Sequence, residues 1–211
     1  MRYSLLMRWI LVCACALVAA SAAPGAVVAT PAQTVARVVL RPAQVAPDVT
    51  LKRFPGGNQI AGQVTLDLCG YTFRTEALRL ARLQVAYTRA AVLVVSNEVV
   101  AYKPGGAASA LRELRTAIAH CPAGYVSSKV PGTGLLKNSI TRVSAPGTLP
   151  GSIAILDRIT QKLNGKTTRF DAILVFQARH DVLGGVYGYG QAQLPVVRHA
   201  AAQSALNLKT L

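Results

Sequence analysis

The side chains that could move protons or attack a substrate are few in this chain and poorly grouped. There are three histidines, His120, His180 and His199, and eight acids, Asp48, Asp67, Glu76, Glu98, Glu113, Asp157, Asp171 and Asp181. No H-x-x-x-H or H-E-x-x-H spacing occurs, so no metal-ligand set is expected. A glycosidase needs two carboxylates about 5–9 Å apart, and only Asp157 and Asp171 lie on the two arms of one predicted hairpin. Counting outward from a two-residue turn at Asn164-Gly165 puts Asp157 opposite Ala172 and Asp171 opposite Arg158. The two acids then point to opposite faces of the sheet, and Asp171 is expected as a cross-strand partner of Arg158. No G-x-S-x-G elbow offers a serine nucleophile. Gly184–Gly190, GGVYGYG, lacks the Lys-Ser/Thr ending of a phosphate loop. The expected count of catalytic residues, metals and cofactors is none.

Sulfur chemistry depends on where the chain resides. Met1–Arg8 carries two arginines and no acid, Trp9–Ala20 is apolar, and Ser21-Ala22-Ala23 supplies small residues. This is the pattern of an export signal, with cleavage expected after Ala22. The apolar run is too short to span a bilayer, which takes about 20 residues. Cys13 and Cys15 lie inside it, and Val12-Cys13-Ala14-Cys15 loosely resembles a lipoprotein processing site, so lipidation at Cys15 is the alternative to plain secretion. Cys69 and Cys121 remain after cleavage. Two cysteines in an exported chain are expected to pair. Neither sits in C-x-x-C, which argues against redox work.

Binding chemistry is better supplied. The full chain has 23 Lys and Arg against eight acids and a formal charge of +15. Such a balance attracts polyanions. Export removes nucleic acid from the candidates and leaves anionic envelope polymers, lipid head groups or an envelope protein, with peripheral rather than integral membrane association. Tyrosine joins a large ring to a polar tip, and arginine carries a planar donor fork. Tyr71, Tyr87, Tyr102, Tyr187 and Tyr189, with Arg79, Arg82 and Arg179, are therefore the expected lining of a ligand cleft. Tyr187 and Tyr189 are read as presenting their rings on an exposed strand or loop.

The elements that must position these residues are read from periodicity. Leu80–Thr88 alternates as a half-buried strand. Ala91–Val95 and Val99–Tyr102 are apolar and flank Ser96-Asn97-Glu98, giving either a hairpin or one long strand with a bulge. Ala107–His120 is helical, with Ala107, Ala110, Leu111, Leu114, Ala117 and Ile118 on one stripe; Pro122 ends it. Cys121 continues that stripe and can face the sheet. Gln63–Leu68 is expected as a short strand entering Cys69, and Tyr125–Val130 with Ser139–Val143 as a strand pair. Ile153–Leu163 and Thr167–Ala178 form a hairpin through Asn164-Gly165. Val182–Tyr189 follows as a strand whose glycines imply a bulge or close approach, and Pro195 opens a last helix. The expected fold is α+β: an antiparallel sheet of about five to seven strands with two helices packed on one face. Residues 1–22 are the signal, 23–58 a flexible Ala/Pro-rich leader with one short strand at Val35–Leu40, and 59–211 a single domain.

LDLCG at Leu66–Gly70, TEALRLARLQVAY at Thr75–Tyr87 and SNEVVAYKPGGAASALRELRTAIAHCP at Ser96–Pro122 resemble exported actinobacterial sensor-like domains. These are similar to the extracellular domain of mycobacterial receptor serine/threonine kinases. The resemblance implies a mixed fold with a ligand cleft and no catalytic residues. This chain departs from those domains in having no second disulfide. The leading expectation is a secreted, non-enzymatic cell-envelope protein that binds an unidentified anionic ligand. The alternatives are a hydrolase acting on envelope lipid or glycan, and an interaction module docking on a membrane partner.

Overall fold

The computed structural model describes residues 29–211. The export signal, its cleavage site and Cys13 and Cys15 lie outside the described residues. The elements in chain order are α1 (Pro31–Val38), β1 (Thr50–Arg53), β2 (Arg79–Arg89), β3 (Val92–Tyr102), α2 (Gly106–Ala119), β4 (Val126–Ser127), β5 (Leu135–Lys137), β6 (Ile140–Arg142), β7 (Ile153–Leu163), β8 (Lys166–Arg179), β9 (Val182–Tyr189) and α3 (Leu194–Leu208). The nine strands make one sheet in the order β1-β2-β3-β9-β8-β7-β5-β4, with β6 also pairing to β7. All pairings are antiparallel. No helix among the described residues is long and apolar enough to cross a membrane.

The α+β class agrees with expectation, but the sheet has nine strands where five to seven were expected. The unexpected strands are Thr50–Arg53 and Leu135–Lys137, each too short to show a period. The expected pairing of Tyr125–Val130 with Ser139–Val143 does not form, because β5 comes between them, taking β4 as its partner while β6 pairs with β7. The helices also divide between the two faces instead of sharing one. The stripe Ala107, Ala110, Leu111, Leu114 and Ala117 of α2 packs with Val100, Ile153, Ile155, Phe176 and Leu183. Val197, Ala200 and Ala201 of α3 pack with Val85, Tyr87, Val95, Ile173, Val175 and Val186, which are the alternate positions of the same strands. Each central strand is therefore buried on both sides, which is why Ile173–Phe176 reads as continuously apolar.

Part of the segment expected as a leader belongs to the core. Residues 31–38 form a helix, not a strand, started by Thr30, whose hydroxyl accepts from the Gln33 N–H while the Gln33 side chain accepts from the Thr30 N–H. That reciprocal cap outweighs the β-branched residues that follow it. Val35, Val38, Leu40 and Val45 are buried, and Thr50–Arg53 adds an edge strand to β2. Gln63–Leu68 forms no strand, so Cys69 lies in a turn closed by Tyr71 N–H donating to Leu68 O. Its disulfide to Cys121 (Cα–Cα 5.0 Å) ties the long loop between β1 and β2 to the end of α2.

The β2–β3 connection turns at Ala90-Ala91, both with positive φ, 46° and 64°. Val92–Tyr102 is consequently one long strand with Ser96-Asn97-Glu98 in its interior. Asn164-Gly165 adopts the same left-handed pair as expected, and the β7–β8 register pairs Asp157 with Ala172 and Arg158 with Asp171.

Candidate functional site

Asn97 and Glu98 are polar residues at the middle of a central strand, and each is buried for a reason the packing supplies. Asn97 accepts from the Leu40 N–H at 3.0 Å and donates to Gly185 O at 2.8 Å, stitching the segment after α1 to β9. Glu98, one residue on, faces the α2 side. Its Oε1 accepts from the Arg82 Nε–H and, at 2.9 Å, from the Thr65 hydroxyl. Arg82 spends its remaining donors on Gly56 O, Gly57 O and Gln84 Oε1. Arg79 extends the network, donating to Thr65 Oγ1 and Gln63 O and pairing with Glu76 at 3.3 Å. Glu76 in turn accepts from the Thr65 and Leu66 N–H groups. Two ion pairs and a hydroxyl thus anchor the loop between β1 and β2, whose only regular piece is the short 3-10 turn Arg74–Leu78 that carries Glu76. Burial raises the Glu98 carboxyl above the ordinary carboxylate range, and the Arg82 guanidinium opposes that rise.

Above Glu98 the sheet and the anchored loop enclose a cleft of about 190 Å³, lined by Thr65, Asp67, Gln84, Glu98, Phe176, Tyr187 and Tyr189 among others. This is below the roughly 300 Å³ of a drug-sized pocket. The Tyr187 ring lies back over Gly185 and donates its hydroxyl to Glu98 Oε2 at 3.4 Å. A Cβ on Gly185 would fall 2.1 Å from that hydroxyl oxygen. On the other face a Cβ on Gly188 would fall 2.4 Å from a Val197 methyl. The glycines of GGVYGYG therefore let a tyrosine and a helix approach the backbone; the strand is central and Tyr187 is buried, not exposed. Only Tyr189 presents its ring, 52 % exposed and tilted against Phe170.

The expected Tyr/Arg constellation does not assemble as one cleft. Tyr187 and Tyr189 line it, with Arg82 and Arg79 locked in the network beneath. Tyr102 is buried among the residues that pack with α2, and its hydroxyl has no partner among the described residues. Tyr71 packs edge-on to Phe73 near the disulfide. Tyr87 is fully buried on the opposite face and donates to Leu40 O. Arg179 is exposed at the β8–β9 turn. Sequence reading missed Glu98, Asn97, Thr65 and Gln84. The signal for the first two was available: charged and amide residues inside a long apolar run belong either to a turn or to a buried polar network.

The charged groups lining the cleft are the carboxylates of Glu98 and Asp67, and Arg82 pairs with Glu98 beneath it. That lining is poorly suited to an anion. Among the described residues no group of three or more His, Cys, Asp or Glu is placed to hold a metal ion.

The acids share one property across the molecule. All eight carboxylates accept internal hydrogen bonds. Asp48 is bound by Arg89, Asp67 by Ser128, Glu113 by Arg74 N–H and by the N–H and hydroxyl of Thr75, Asp157 by Asn138 and Ser139 N–H, Asp171 by Gln191, and Asp181 by Gly105 N–H. Glu76 and Glu98 belong to the network above. Of the basic side chains, only Arg79, Arg82 and Arg89 form ion pairs among the described residues.

No protein-family model matches the chain, and no curated protein matches it either. Among solved structures it is similar to the extracellular domain of PknH from Mycobacterium tuberculosis. The identity is 13 %, over 84 % of this chain and 95 % of that chain, with a TM-score of 0.46. That is a loose likeness of overall arrangement, and no residue of the site is assigned from it.

Proposed function

We propose that this protein is a non-enzymatic binding module of the cell envelope whose ligand is anionic. One observation carries the reading: every carboxylate is drawn into an internal hydrogen bond while most of the basic side chains stand without an acidic partner. A surface built this way keeps its positive field for something outside the molecule. A hydrolase with two carboxylates is not favoured, because the hairpin pair Asp157 and Asp171 falls on opposite faces of the sheet. Glu98 and Asp157, the two most deeply buried acids, are held by Arg82 and Thr65 and by Asn138 and Ser139. Export, expected from the first 22 residues, makes an envelope polymer or head group the accessible anion.

The reading is tested by thermal unfolding in the presence of fractionated envelope extract at moderate salt. Anionic fractions are expected to raise the melting temperature and neutral fractions to leave it unchanged. No shift with any fraction would contradict the proposal.

A further inference from the structure

Four cations stand together on one uncovered patch of the sheet, although they are scattered along the chain. Thr160 at the middle of β7 pairs with Lys137 of β5 on one side and with Arg169 of β8 on the other. Directly opposed residues share a face, as do residues two apart on one strand, which adds Arg158 and Lys162 of β7. All four basic residues are exposed. Strand spacing sets Lys137 and Arg169 about 10 Å apart across the sheet and Arg158 and Lys162 about 13 Å apart along it. The result is a diamond of positive charge around a threonine. α3 covers this same face over Ile173 and Val175 and leaves the diamond bare. The acid on its border, Asp171 opposite Arg158, is bound by Gln191 and makes no ion pair. Beside the diamond, the Tyr125 ring lies 4.2 Å from Lys162 Nζ.

Resting on the reading that the ligand is anionic, we infer that this patch docks an extended acidic polysaccharide. The charge sign demands an anion, and the cations are spread across a three-stranded ladder instead of converging on one point. Such spacing matches charges repeated along a chain better than a single phosphate. Between the charges lies a threonine hydroxyl, which can receive sugar hydroxyls, and at the border stands an aromatic ring, a surface suited to a sugar ring. The centre of the diamond is Thr160; the large exposed apolar side chains on this face, Leu135 (opposite Lys162) and Tyr125, lie at its border.

The test uses the described chain, polygalacturonate as probe and isothermal titration at low salt. The first variant is K137Q/R158Q/K162Q/R169Q. The control variant, R37Q/K52Q/K103Q/K209Q, removes the same charge from exposed positions elsewhere. The diamond variant is expected to bind at least tenfold more weakly than the control variant. Equal weakening in both would overturn the patch while leaving the anionic reading intact. No binding of polygalacturonate by the unmodified protein would overturn the inference, and the anionic reading would then stand or fall on the melting-temperature shift with anionic envelope fractions. Loss of binding to phosphatidylglycerol vesicles alone, with polygalacturonate unaffected, would replace the polysaccharide by a membrane and overturn the inference. Lysine acetylation of the unmodified protein gives an answer independent of variant folding. Polygalacturonate is expected to protect Lys137 and Lys162 and to spare Lys103 and Lys209, and uniform protection would count against the patch.

Discussion

Removing Glu98 leaves the Arg82 guanidinium buried without its counter-charge, and removing Arg82 leaves the Glu98 carboxyl buried beside Thr65 and driven to hold a proton. Breaking a buried pair from one side typically costs about 3–5 kcal/mol. Arg82→Met and Glu98→Leu are each expected to lose that much in urea unfolding. The double substitution should lose clearly less than the sum, and additive losses would show that the two side chains do not act as a pair. Proton binding gives a second handle on the same residue. Burial raises the Glu98 carboxyl, and it raises Asp157 against the hydrogen bonds of Asn138 and Ser139 N–H. A carboxyl raised in the fold holds its proton more tightly than in the unfolded chain. Its stabilising contribution is complete below the unfolded pKa and is lost as pH climbs through the folded one. Asp48, held low by its hydrogen bond to Arg89, contributes with the opposite sign, so the test is a difference: as pH rises from about 4 toward neutrality the unmodified protein should lose melting temperature relative to Glu98→Gln. A difference that runs the other way would refute the assignment. Gly185→Ala tests the close approach of Tyr187: displacing the ring is expected to cost about 1–3 kcal/mol, against little change when Gly124, which has open space around it and no left-handed backbone, is replaced by Ala.

At the scale of elements, the β2–β3 hairpin is the part most open to improvement. Ala90 and Ala91 occupy left-handed backbone that costs an ordinary residue about 1–2 kcal/mol. Ala90→Asn with Ala91→Gly, copying Asn164-Gly165, is expected to raise stability by about 1–2 kcal/mol in chemical unfolding; a loss would mean the turn differs from the one described. This hairpin also explains where sequence reading stopped. The β7–β8 hairpin was legible because Asn-Gly announces the turn, and its register followed from counting. The Ala-Ala turn carries no such signal, so the polar triplet Ser96-Asn97-Glu98 left a hairpin open beside the one long strand that forms. α2 was legible from its apolar stripe. α1 and β1 were not, because the prolines around them suggested a linker and the partners that bury Val35 and Val38 lie far along the chain. Of the candidate site, Tyr187, Tyr189 and Arg82 were found from residue type. Glu98 and Thr65 became visible only once β2, β3 and the loop at 59–73 were brought side by side. That loop depends on its covalent tie as well as on Glu76 and Arg79. Cys69→Ser with Cys121→Ser is expected to cost about 2–4 kcal/mol.

For the whole molecule, the account rests on charge that folding leaves uncompensated. All eight acids accept hydrogen bonds from the protein's own donors, two of them, Glu98 and Asp157, in the interior, and the basic side chains that remain give the protein its positive surface. The cleft beneath Tyr189 is lined by carboxylates, so the anion's place is outside it, on the sheet. Binding of this kind releases counterions and weakens steeply with salt. The most direct measurement is the affinity of the unmodified protein for polygalacturonate and for uncharged dextran across about 50 to 200 mM sodium chloride. The account predicts at least a tenfold loss of polygalacturonate affinity over that range and no measurable binding to dextran. Equal affinity for the two polymers, or an affinity for polygalacturonate that does not change with salt, would contradict it.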